Sequence, residues 1–424
     1  MITPSFGLTA TERVLPKLAL DFTTASLDSR ITFTRALNTA TRVNSSGYVE
    51  SVNADTPRFD YDPITKVCKG LLIEETRVNN CLYSEEFDVS PTWVVSNSTV
   101  STNATTAPSN SLTADKLIED TATAEHAVTQ SISYPANNAI TLSLYAKTSG
   151  RNLRILMSDN LTGVAFAVYD LTNGTFSGQT ISGSWTAISS TITNVGNGWY
   201  RCTLTATKGG GTTVSSVLTL NDGTTTSYTG DGASGVFLWG AQLEAGAFPT
   251  SYIPTTTTSL TRNADVATMT GTNFSDWFNA TEGTFAAQII NFDNVSSDKT
   301  LFCTDDGNTT QAEENAVRIT SAGTVYLNRI RTLATTVSTL GGSSVPIGNV
   351  ARICGAYKLD SFAASVIGSA TQTDNLGGVP VGQQRMQIGT RANGASTATM
   401  LLQKIYYWPQ RLTNAEVQAF SKEG

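Results

Sequence analysis

The sequence predicts an all-β protein that carries two β-sandwich domains. Charged residues make up only 14% of the chain, against roughly 25% in typical soluble domains. Thr, Ser, Asn and 34 Gly take their place, and such residues suit pleated strands and turns. Long amphipathic helices would lack charged outer faces, which argues against an all-α fold. Disorder is also excluded, because 16 Phe, 13 Tyr and 6 Trp require burial.

The first 83 residues divide into an arm and a β-rich segment. Residues 1–17 contain Pro4 and Pro16 and little periodicity, so we expect an N-terminal arm. Residues 18–83 contain the short strand patterns LALDF, RITFTRAL and TATRVNSSGYVESV. The Ser-Ser-Gly within the last pattern indicates a hairpin. We interpret 18–83 as a docking segment.

Residues 84–254 form the first predicted sandwich, of the jelly-roll kind. Segments such as AITLSLYAKT, GVAFAVYDLT and GVFLWGAQLE alternate apolar and polar residues, and clusters such as PANN, TNGT and KGGGT separate them. Many short strands with regular turn signals are typical of sandwiches and jelly rolls. TADKLIED is the one segment in this range that suggests a helical turn.

Residues 255–265, TTTTSLTRNAD, are predicted to be a linker, and 266–424 a second sandwich. The chain ends in TNAEVQAFSK, which predicts a short helix. Thr413 and Glu416 have the spacing of a capping box, and Leu412 and Val417 that of a hydrophobic staple.

The charge pattern excludes several function classes. The chain has 27 basic and 34 acidic residues, a net charge of −7, and no run of Lys or Arg, so a nucleic-acid partner is not expected. His126 is the one histidine, which excludes a zinc site built on several histidines. A Ser-His-Asp triad would have to use His126, which we interpret as an ordinary strand residue.

Targeting signals are not expected. The start, MITPSFGLTATERVLPKLAL, lacks a basic stretch followed by a long apolar run. The sequence also has no apolar stretch of about 18 residues, so we expect no membrane span and synthesis in a cytosol. The odd number of widely spaced cysteines predicts free buried thiols, although a bridge between the first two stays open: these are Cys68, Cys81, Cys202, Cys303 and Cys354.

The sequence contains no motif specific for catalysis. GDGASG at 230–235 matches a dinucleotide fingerprint, but a strand pattern follows it instead of a helix, so we interpret it as a turn. Neighbouring carboxylates such as Glu85 and Glu86 point to opposite faces of a strand. A glycosidase needs two carboxylates that face each other, and the candidates for such a pair are Asp170, Asp222, Asp231, Glu244 and Asp360.

Aromatic side chains near turns are candidate platforms for sugar rings. Trp93, Trp185 and Tyr228 lie near predicted turns and are our glycan-contact candidates. Trp199 and Trp239 lie inside strand patterns, so we expect them in the core. The Asp- and Asn-rich turns at 304–308 and 221–224 are explained by Asx-turn chemistry, with Ca²⁺ binding as the alternative.

The N-terminal segment resembles a module of bacteriophage tail-fibre, head-fibre and related virion proteins. The resemblance is carried by RITFTRALNTATRVNSSGYVESV and by PRFDYDPITKVCKGLLIEETRVNNCLYSEEF. Downstream, TADKL, SLYAK, GWYRC and FLWGAQLEAGAFPTSYIPT resemble a carbohydrate-binding jelly roll. The stretch from TRNADVATMTG to YYWPQRLTNAEVQAF resembles a concanavalin-A/laminin-G sandwich. The matching module residues are Phe33, Arg35, Gly47, Arg58, Phe59, Asp60, Gly70, Glu74, Arg77 and Asn79.

The resemblance implies a non-enzymatic virion protein of the tail-fibre or receptor-binding type, which projects from the particle and binds host surface glycan. It implies capsid or tail proteins as partners, self-association as a homotrimer, and no required cofactor. In carbohydrate-binding jelly rolls a structural Ca²⁺ can join the first and last strands, and Glu86 and Glu244 fall in comparable places. Three alternatives stay open: a capsid head fibre or decoration protein with a mainly structural role, a polysaccharide depolymerase, and a bacterial adhesin.

Overall fold

The computed structural model describes residues 15–134, 137–159, 163–292, 298–310, 312–320, 325–391 and 396–422. Most of these residues lie in strands. Of the predicted arm, residues 1–17, the first fourteen lie outside the described residues. Lys17 already belongs to the folded body, since its backbone N–H donates to the carbonyl of Tyr407 at 2.8 Å.

The N-terminal segment contains seven strands and one turn of 3-10 helix at Phe22–Thr24. The strands are β1 (Leu18–Asp21), β2 (Thr32–Thr34), β3 (Ala40–Val43), β4 (Val49–Val52), β5 (Arg58–Tyr61), β6 (Cys68–Ile73) and β7 (Arg77–Asn79).

The next fourteen strands build the first sandwich and a two-stranded ribbon beside it. They are β8 (Val94–Ser96), β9 (Ser98–Thr105), β10 (Ala114–Glu119), β11 (Thr123–Glu125), β12 (Ala127–Ser133), β13 (Asn138–Ser149), β14 (Asn152–Ser158), β15 (Val164–Asp170), β16 (Thr175–Ile181), β17 (Thr186–Gly196), β18 (Trp199–Lys208), β19 (Thr213–Asn221), β20 (Ser227–Thr229) and β21 (Gly235–Ala245).

The described residues after β21 contain twelve strands and two helices. They are β22 (Leu260–Arg262), β23 (Val266–Thr270), α1 (Thr272–Ser275), β24 (Glu282–Asn291), β25 (Lys299–Asp305), β26 (Glu314–Ile319), β27 (Val325–Thr332), β28 (Thr335–Ser344), β29 (Val350–Lys358), β30 (Phe362–Val366), β31 (Gln372–Asp374), β32 (Arg385–Ile388), β33 (Met400–Trp408) and α2 (Asn414–Lys422).

The first sandwich packs two six-stranded antiparallel sheets face to face, as predicted. One sheet has the order β17-β18-β13-β21-β10-β9, and the other β16-β15-β14-β19-β12-β8. Alternating residues of both sheets fill the core, among them Leu142, Leu153 and Leu218. The segment TADKLIED forms β10 and not a helical turn, because its backbone pairs with β21 on one side and β9 on the other.

The second sandwich contains strands from both ends of the sequence. Its seven-stranded sheet has the order β2-β23-β32-β25-β26-β27-β28, and its eight-stranded sheet includes β31-β30-β29-β24-β33-β6-β5, with β1 also on β33. Thus β1, β2, β5 and β6, which the sequence suggests are parts of a separate docking segment, complete the sheets of residues 266–408. Local patterns show that these strands exist but not where they pair, since partners such as Leu18 and Tyr407 are far apart in sequence.

Three further details agree with the sequence analysis. The Ser-Ser-Gly segment forms the β3–β4 hairpin, where Gly47 has a φ of +84°. In α2 the Thr413 N–H and hydroxyl both donate to Glu416 Oε2 at 2.7 Å, and the Glu416 N–H donates to Thr413 Oγ1 at 3.3 Å. All five cysteines are free thiols, so no bridge joins Cys68 and Cys81; four of them are buried as predicted, whereas Cys68 is half-buried. None of the helices in the described ranges is both long and apolar enough to cross a bilayer.

Candidate ligand-binding cleft

Five buried charged side chains lie where the N-terminal segment meets both sandwiches. Arg58 donates from Nη1 to Glu74 Oε2 at 2.6 Å and from Nη2 to Asp265. Arg35 Nη1 lies 3.0 Å from Asp265 Oδ1, and Arg262 Nη1 lies 3.1 Å from Glu74 Oε2. None of the five side chains is more than 2% exposed. We call Arg35, Arg58, Glu74, Arg262 and Asp265 the buried ion cluster.

The ion cluster also binds the chain that leaves the first sandwich. Glu74 accepts hydrogen bonds from the backbone N–H of Ser251 at 2.7 Å and from its hydroxyl at 2.6 Å. Burial opposes the charge of Glu74, but Arg262 and Arg58 outweigh it and hold the pKa of this carboxyl at about 2. The cluster therefore joins three parts of the chain through ion pairs and hydrogen bonds.

Asn79 makes a second buried connection between the N-terminal segment and the first sandwich. Its amide nitrogen donates to the carbonyls of Ala241 at 3.0 Å and Ile253 at 2.9 Å. Its amide oxygen accepts from the backbone N–H groups of Leu243 at 3.1 Å and Cys81 at 3.0 Å. The resemblance-bearing residues in this region are thus part of the architecture.

Beside this junction, the β3–β4 hairpin and the first sandwich enclose a cleft of about 160 Å³. An engineered apolar cavity of roughly 150 Å³ accommodates benzene, so the cleft has room for one six-membered ring. We call it the hairpin cleft. Its lining residues are Thr41, Val49, Glu50, Ser51, Glu85, Ser109, Ser111, Thr113, Trp239, Tyr252 and Pro254.

Two aromatic rings form the base of the hairpin cleft. The ring centroids of Trp239 and Tyr252 lie 4.7 Å apart, and Tyr145 packs 5.3 Å from Trp239. Gly240 follows Trp239 with a φ of +66°, and a Cβ there would lie 3.1 Å from the Tyr145 ring. The pairing of β21 with β13 shifts register at this point, and a glycine here lets the three rings pack closely.

Glu85 is held by the polar atoms of this aromatic base. Trp239 Nε1 donates to Glu85 Oε2 at 2.9 Å, and the Tyr252 hydroxyl donates to Oε1 at 3.0 Å. Burial raises the pKa of Glu85, although these two hydrogen bonds favour the charged form, and the neighbouring charge of Glu86 raises it further. The base of the cleft therefore presents the Glu85 carboxylate, whose hydrogen-bond donors within the described structure are uncharged.

The opposite wall carries a second carboxylate and hydroxyl groups. Glu50 of β4 accepts from Arg42 Nε at 2.8 Å and from Asn44 Nδ2 at 2.9 Å. Ser111 and Ser51 are exposed at the rim. The cleft thus combines a buried aromatic base with hydroxyls and carboxylates that can exchange hydrogen bonds with a polyhydroxylated ring.

The three predicted glycan contacts do not lie in this cleft. Trp93 is 1% exposed, Trp185 is 2% exposed and Tyr228 is 9% exposed. Trp93 packs on Phe87, and the Tyr228 hydroxyl donates to Glu119 at 2.7 Å. This differs from the expectation of open ring faces, because residues next to turns fold their apolar rings inward onto the sandwich core.

The two predicted metal ligands do not fit a shared Ca²⁺ site. Glu244 is fully buried, and its carboxylate accepts from Gln242 Nε2 and from the Thr250 N–H at 3.0 Å, whereas Glu86 is exposed. The positive charge that Glu244 faces comes from Arg77, Arg262 and Arg201. Across the described ranges, no three His, Cys, Asp or Glu side chains converge as a metal-binding group.

His126 and the carboxylates proposed for hydrolysis also have hydrogen-bond partners within the protein. His126 is buried, and its Nδ1 lies 2.6 Å from the carbonyl of Asn97. Asp170, Asp222 and Asp231 each accept hydrogen bonds from backbone N–H groups of their own turns. Asp360 instead accepts from the backbone N–H of Gly377, 17 residues further along the chain, at 2.9 Å.

No sequence pattern marks Glu50, Glu85 or Tyr252 as a candidate site residue, and the strand pattern around Trp239 predicts a core position. Trp239 is 2% exposed, so that assignment is confirmed. One usable signal was the glycine after Trp239 within a strand pattern, which indicates a bulge or a close approach. No local pattern reveals that the hairpin and residues 250–254 meet at this strand.

The sequence matches no protein-family model and no curated protein. Parts of the chain are similar to solved structures. The K499G mutant of NanB sialidase from Streptococcus pneumoniae is 12% identical, with a TM-score of 0.31 over 36% of this chain and 26% of the sialidase. The chain therefore matches about a quarter of that enzyme's length.

Two smaller proteins show similarity of the same extent. The CBM40 of the Ruminococcus gnavus IT-sialidase, bound to alpha2,3 sialyllactose, is 13% identical, with a TM-score of 0.30 over 34% of this chain and 84% of its own. The SAP-like pentraxin of Limulus polyphemus is 16% identical, with a TM-score of 0.28 over 34% of this chain and 70% of its own. Similarity of this extent identifies neither a ligand nor an activity for this chain.

Proposed function

We propose that the chain is a non-enzymatic structural protein of a bacteriophage particle, of the tail-fibre or receptor-binding type, and that it binds host surface glycan in the hairpin cleft. The observation that carries the glycan part is the cleft itself. It has the volume of one ring, an aromatic base and a wall of hydroxyls and carboxylates. Saccharide hydroxyls both donate and accept, so they need mixed partners of this kind.

The virion part of the proposal rests on the resemblance of the N-terminal segment and on how its residues are used. Arg35, Arg58 and Glu74 belong to the buried ion cluster, which ties the segment to both sandwiches without a disulfide. A protein that assembles in a reducing cytosol and then works outside the cell benefits from such a connection. The arm would dock to capsid or tail proteins.

Self-association as a homotrimer is part of the same proposal. The eleven-residue strand β17 (Thr186–Gly196) stands at the edge of its sheet. A long edge strand invites pairing with another chain unless something covers it, and closed symmetry is the usual way in which identical chains cover such edges. Sedimentation equilibrium of the full chain measures the oligomeric state directly. The expected result is the mass of three chains, and a monomer at micromolar concentration would refute the homotrimer.

A glycan array tests the binding site with a matched pair of variants. The full chain is compared with Glu85→Gln and Glu86→Gln, which have the same net charge and change adjacent positions. Glu85 faces the cleft and Glu86 is exposed. We expect the binding signal of the bound glycans to fall at least tenfold in Glu85→Gln and to be retained in Glu86→Gln. Glycan binding that both variants keep would place the site elsewhere, and an array without any bound glycan would contradict the glycan part.

Antibody labelling of intact phage particles tests the virion part. Label on the tail is the result expected for a receptor-binding fibre. Label over the capsid would instead favour the head-fibre or decoration role, with adhesion as an accessory. Particles without label would overturn the assignment to a virion.

A polysaccharide depolymerase is the second candidate, because Glu50 and Glu85 line one cleft and burial raises the pKa of Glu85. A raised pKa is what a general acid needs in glycoside hydrolysis. Under the binding proposal, incubation with host polysaccharide releases no reducing ends. Release that Glu85→Gln abolishes and Glu86→Gln retains would establish the enzyme instead.

A further inference from the structure

Arginine neutralises several of the most buried carboxylates of this protein. Glu119 lies 2.6 Å from Arg151, and Asp305 lies 2.7 Å from Arg385, with both carboxylates at most 1% exposed. Glu74 and Asp265 are neutralised within the ion cluster. Pairing of this kind is the ordinary way in which a folded chain retains a buried charge.

Glu85 has a different environment. Its hydrogen-bond donors are the indole of Trp239 and the hydroxyl of Tyr252, and no Lys, Arg or His is among the residues that line the cleft. Asp115 and Glu313 are more deeply buried than the half-buried Glu85, and neither has an arginine partner among the ion pairs of the described residues. Both of their oxygens, however, accept backbone N–H groups.

The charge of Glu85 is therefore directed at an open space and not at a cation of the protein. The aromatic base keeps water from one side of the carboxylate, which strengthens its field within the cleft. Glu50 adds a second negative group on the facing wall, and Arg42 engages one of its oxygens. The hydroxyls of Ser109, Ser111 and Thr113 complete a lining suited to a ring that carries both hydroxyls and a positive charge.

We propose that the hairpin cleft selects a sugar that carries a protonated primary amine, with the ammonium group against Glu85. This inference rests on the proposed glycan binding and specifies the class of glycan. An ammonium group supplies three donors and no acceptor, which complements carboxylate and hydroxyl oxygens. N-acetylation would remove the charge and replace it by a neutral amide, so an acetylated sugar should bind more weakly.

Two oligosaccharides that differ only in this group provide the test. The full chain is titrated by calorimetry at pH 7 with the trimer of glucosamine and with the trimer of N-acetylglucosamine. We expect at least tenfold tighter binding of the amine trimer. In Glu85→Gln the preference should fall below threefold, whereas Glu86→Gln should retain it.

The matched variants also control for the effect of the overall charge on binding. The chain has a net charge of −7 and attracts any cationic oligosaccharide, but both variants change this charge equally. An amine preference that survives in Glu85→Gln would therefore overturn the inference. Equal binding of both trimers, or preference for the acetylated one, would also overturn it while glycan binding stands. If neither trimer binds, the inference fails, and the array decides separately whether another glycan occupies the cleft.

Discussion

Arg58 and Asp265, 207 residues apart in the sequence, form an ion pair in which neither side chain is exposed. Everything that builds the first sandwich lies between them. Arg58 lies on β5 of the second sandwich and Asp265 directly precedes β23, so the pair ties the N-terminal strands of this sandwich to the point where the chain returns to it. Glu74, which directly follows β6, shares Arg58 and accepts hydrogen bonds from Ser251, so the exit of the first sandwich is held at the same place.

Removal of Arg58 should destabilise the whole protein. Arg58→Ala leaves Glu74 paired with Arg262 and Asp265 paired with Arg35. It removes the guanidinium that bridges the two carboxylates and leaves a buried site unfilled, which costs about 2–5 kcal/mol of unfolding free energy. The control is Arg30→Ala, whose ion pair with Asp28 is about one-third exposed and should contribute at most about 1 kcal/mol. Urea unfolding followed by tryptophan fluorescence measures both. Equal changes in the two variants would show that the cluster does not hold the fold.

The same cluster predicts how stability depends on pH. The pKa of Glu74 is about 2 in the folded protein against an ordinary 4.5. The unfolded chain therefore binds this proton more readily, and the contribution of Glu74 is complete above pH 4.5 and lost as the pH falls towards 2. It corresponds to about 3 kcal/mol.

Glu74→Gln isolates this contribution. The variant is less stable than the parent at pH 6, but it lacks the titrating group. We expect the stability difference between parent and variant to narrow by about 3 kcal/mol between pH 6 and pH 2.5. Urea unfolding across this range provides the measurement, and parallel pH profiles for the two proteins would contradict the prediction.

Gly70 tests whether the N-terminal segment is part of the second sandwich. It has a φ of +124°, and a Cβ there would lie 2.4 Å from the carbonyl oxygen of Leu402 on β33. Gly223, with a φ of +106° and no atom within 4 Å of its Cβ position, is the matched control. Both alanine variants have backbone strain, but Gly70→Ala adds overpacking of roughly 1–3 kcal/mol. Thermal unfolding should show the larger loss for Gly70→Ala, and an equal loss would mean that β6 does not approach β33 this closely.

The elements that the sequence predicted correctly are those set by local chemistry. The β3–β4 hairpin follows from a turn glycine, Gly47, and the start of α2 follows from Thr413 and Glu416. Alternation also placed Trp199 and Trp239 in the interior, where they are at most 2% exposed. Such signals act over a few residues, so one sequence contains them in full.

The features that the sequence did not predict are set by contacts between distant residues. Alternation shows that Leu18 and Leu20 point to one face, but not that their strand pairs with the last strand of the chain. Nearness to a turn did not reveal that Trp185 is buried. The hairpin cleft needs Glu50, Glu85 and Tyr252 from three separate segments, and no spacing rule connects them.

Trp239 offers a prediction about the pH dependence of ligand binding. Its N–H donates to Glu85 at 2.9 Å and stabilises the charged carboxylate, whose pKa burial raises above the ordinary 4.5. A cationic ligand needs Glu85 charged, so affinity for the glucosamine trimer should decline as the pH falls through this raised pKa. Trp239→Phe keeps an aromatic ring but removes the donor, which should raise the pKa further and move the midpoint of the affinity profile to higher pH.

Trp199→Phe is the matched control for this shift. Trp199 is also a buried indole of the same sheet, but its N–H donates to the backbone carbonyl of Thr106 at 3.1 Å and not to a carboxylate. Its loss should lower stability without moving the midpoint. Calorimetric titrations at a series of pH values compare both variants with the parent. If the midpoint moves equally in both, the effect comes from general loosening of the aromatic base, and the hydrogen bond from Trp239 does not set the ionisation of Glu85.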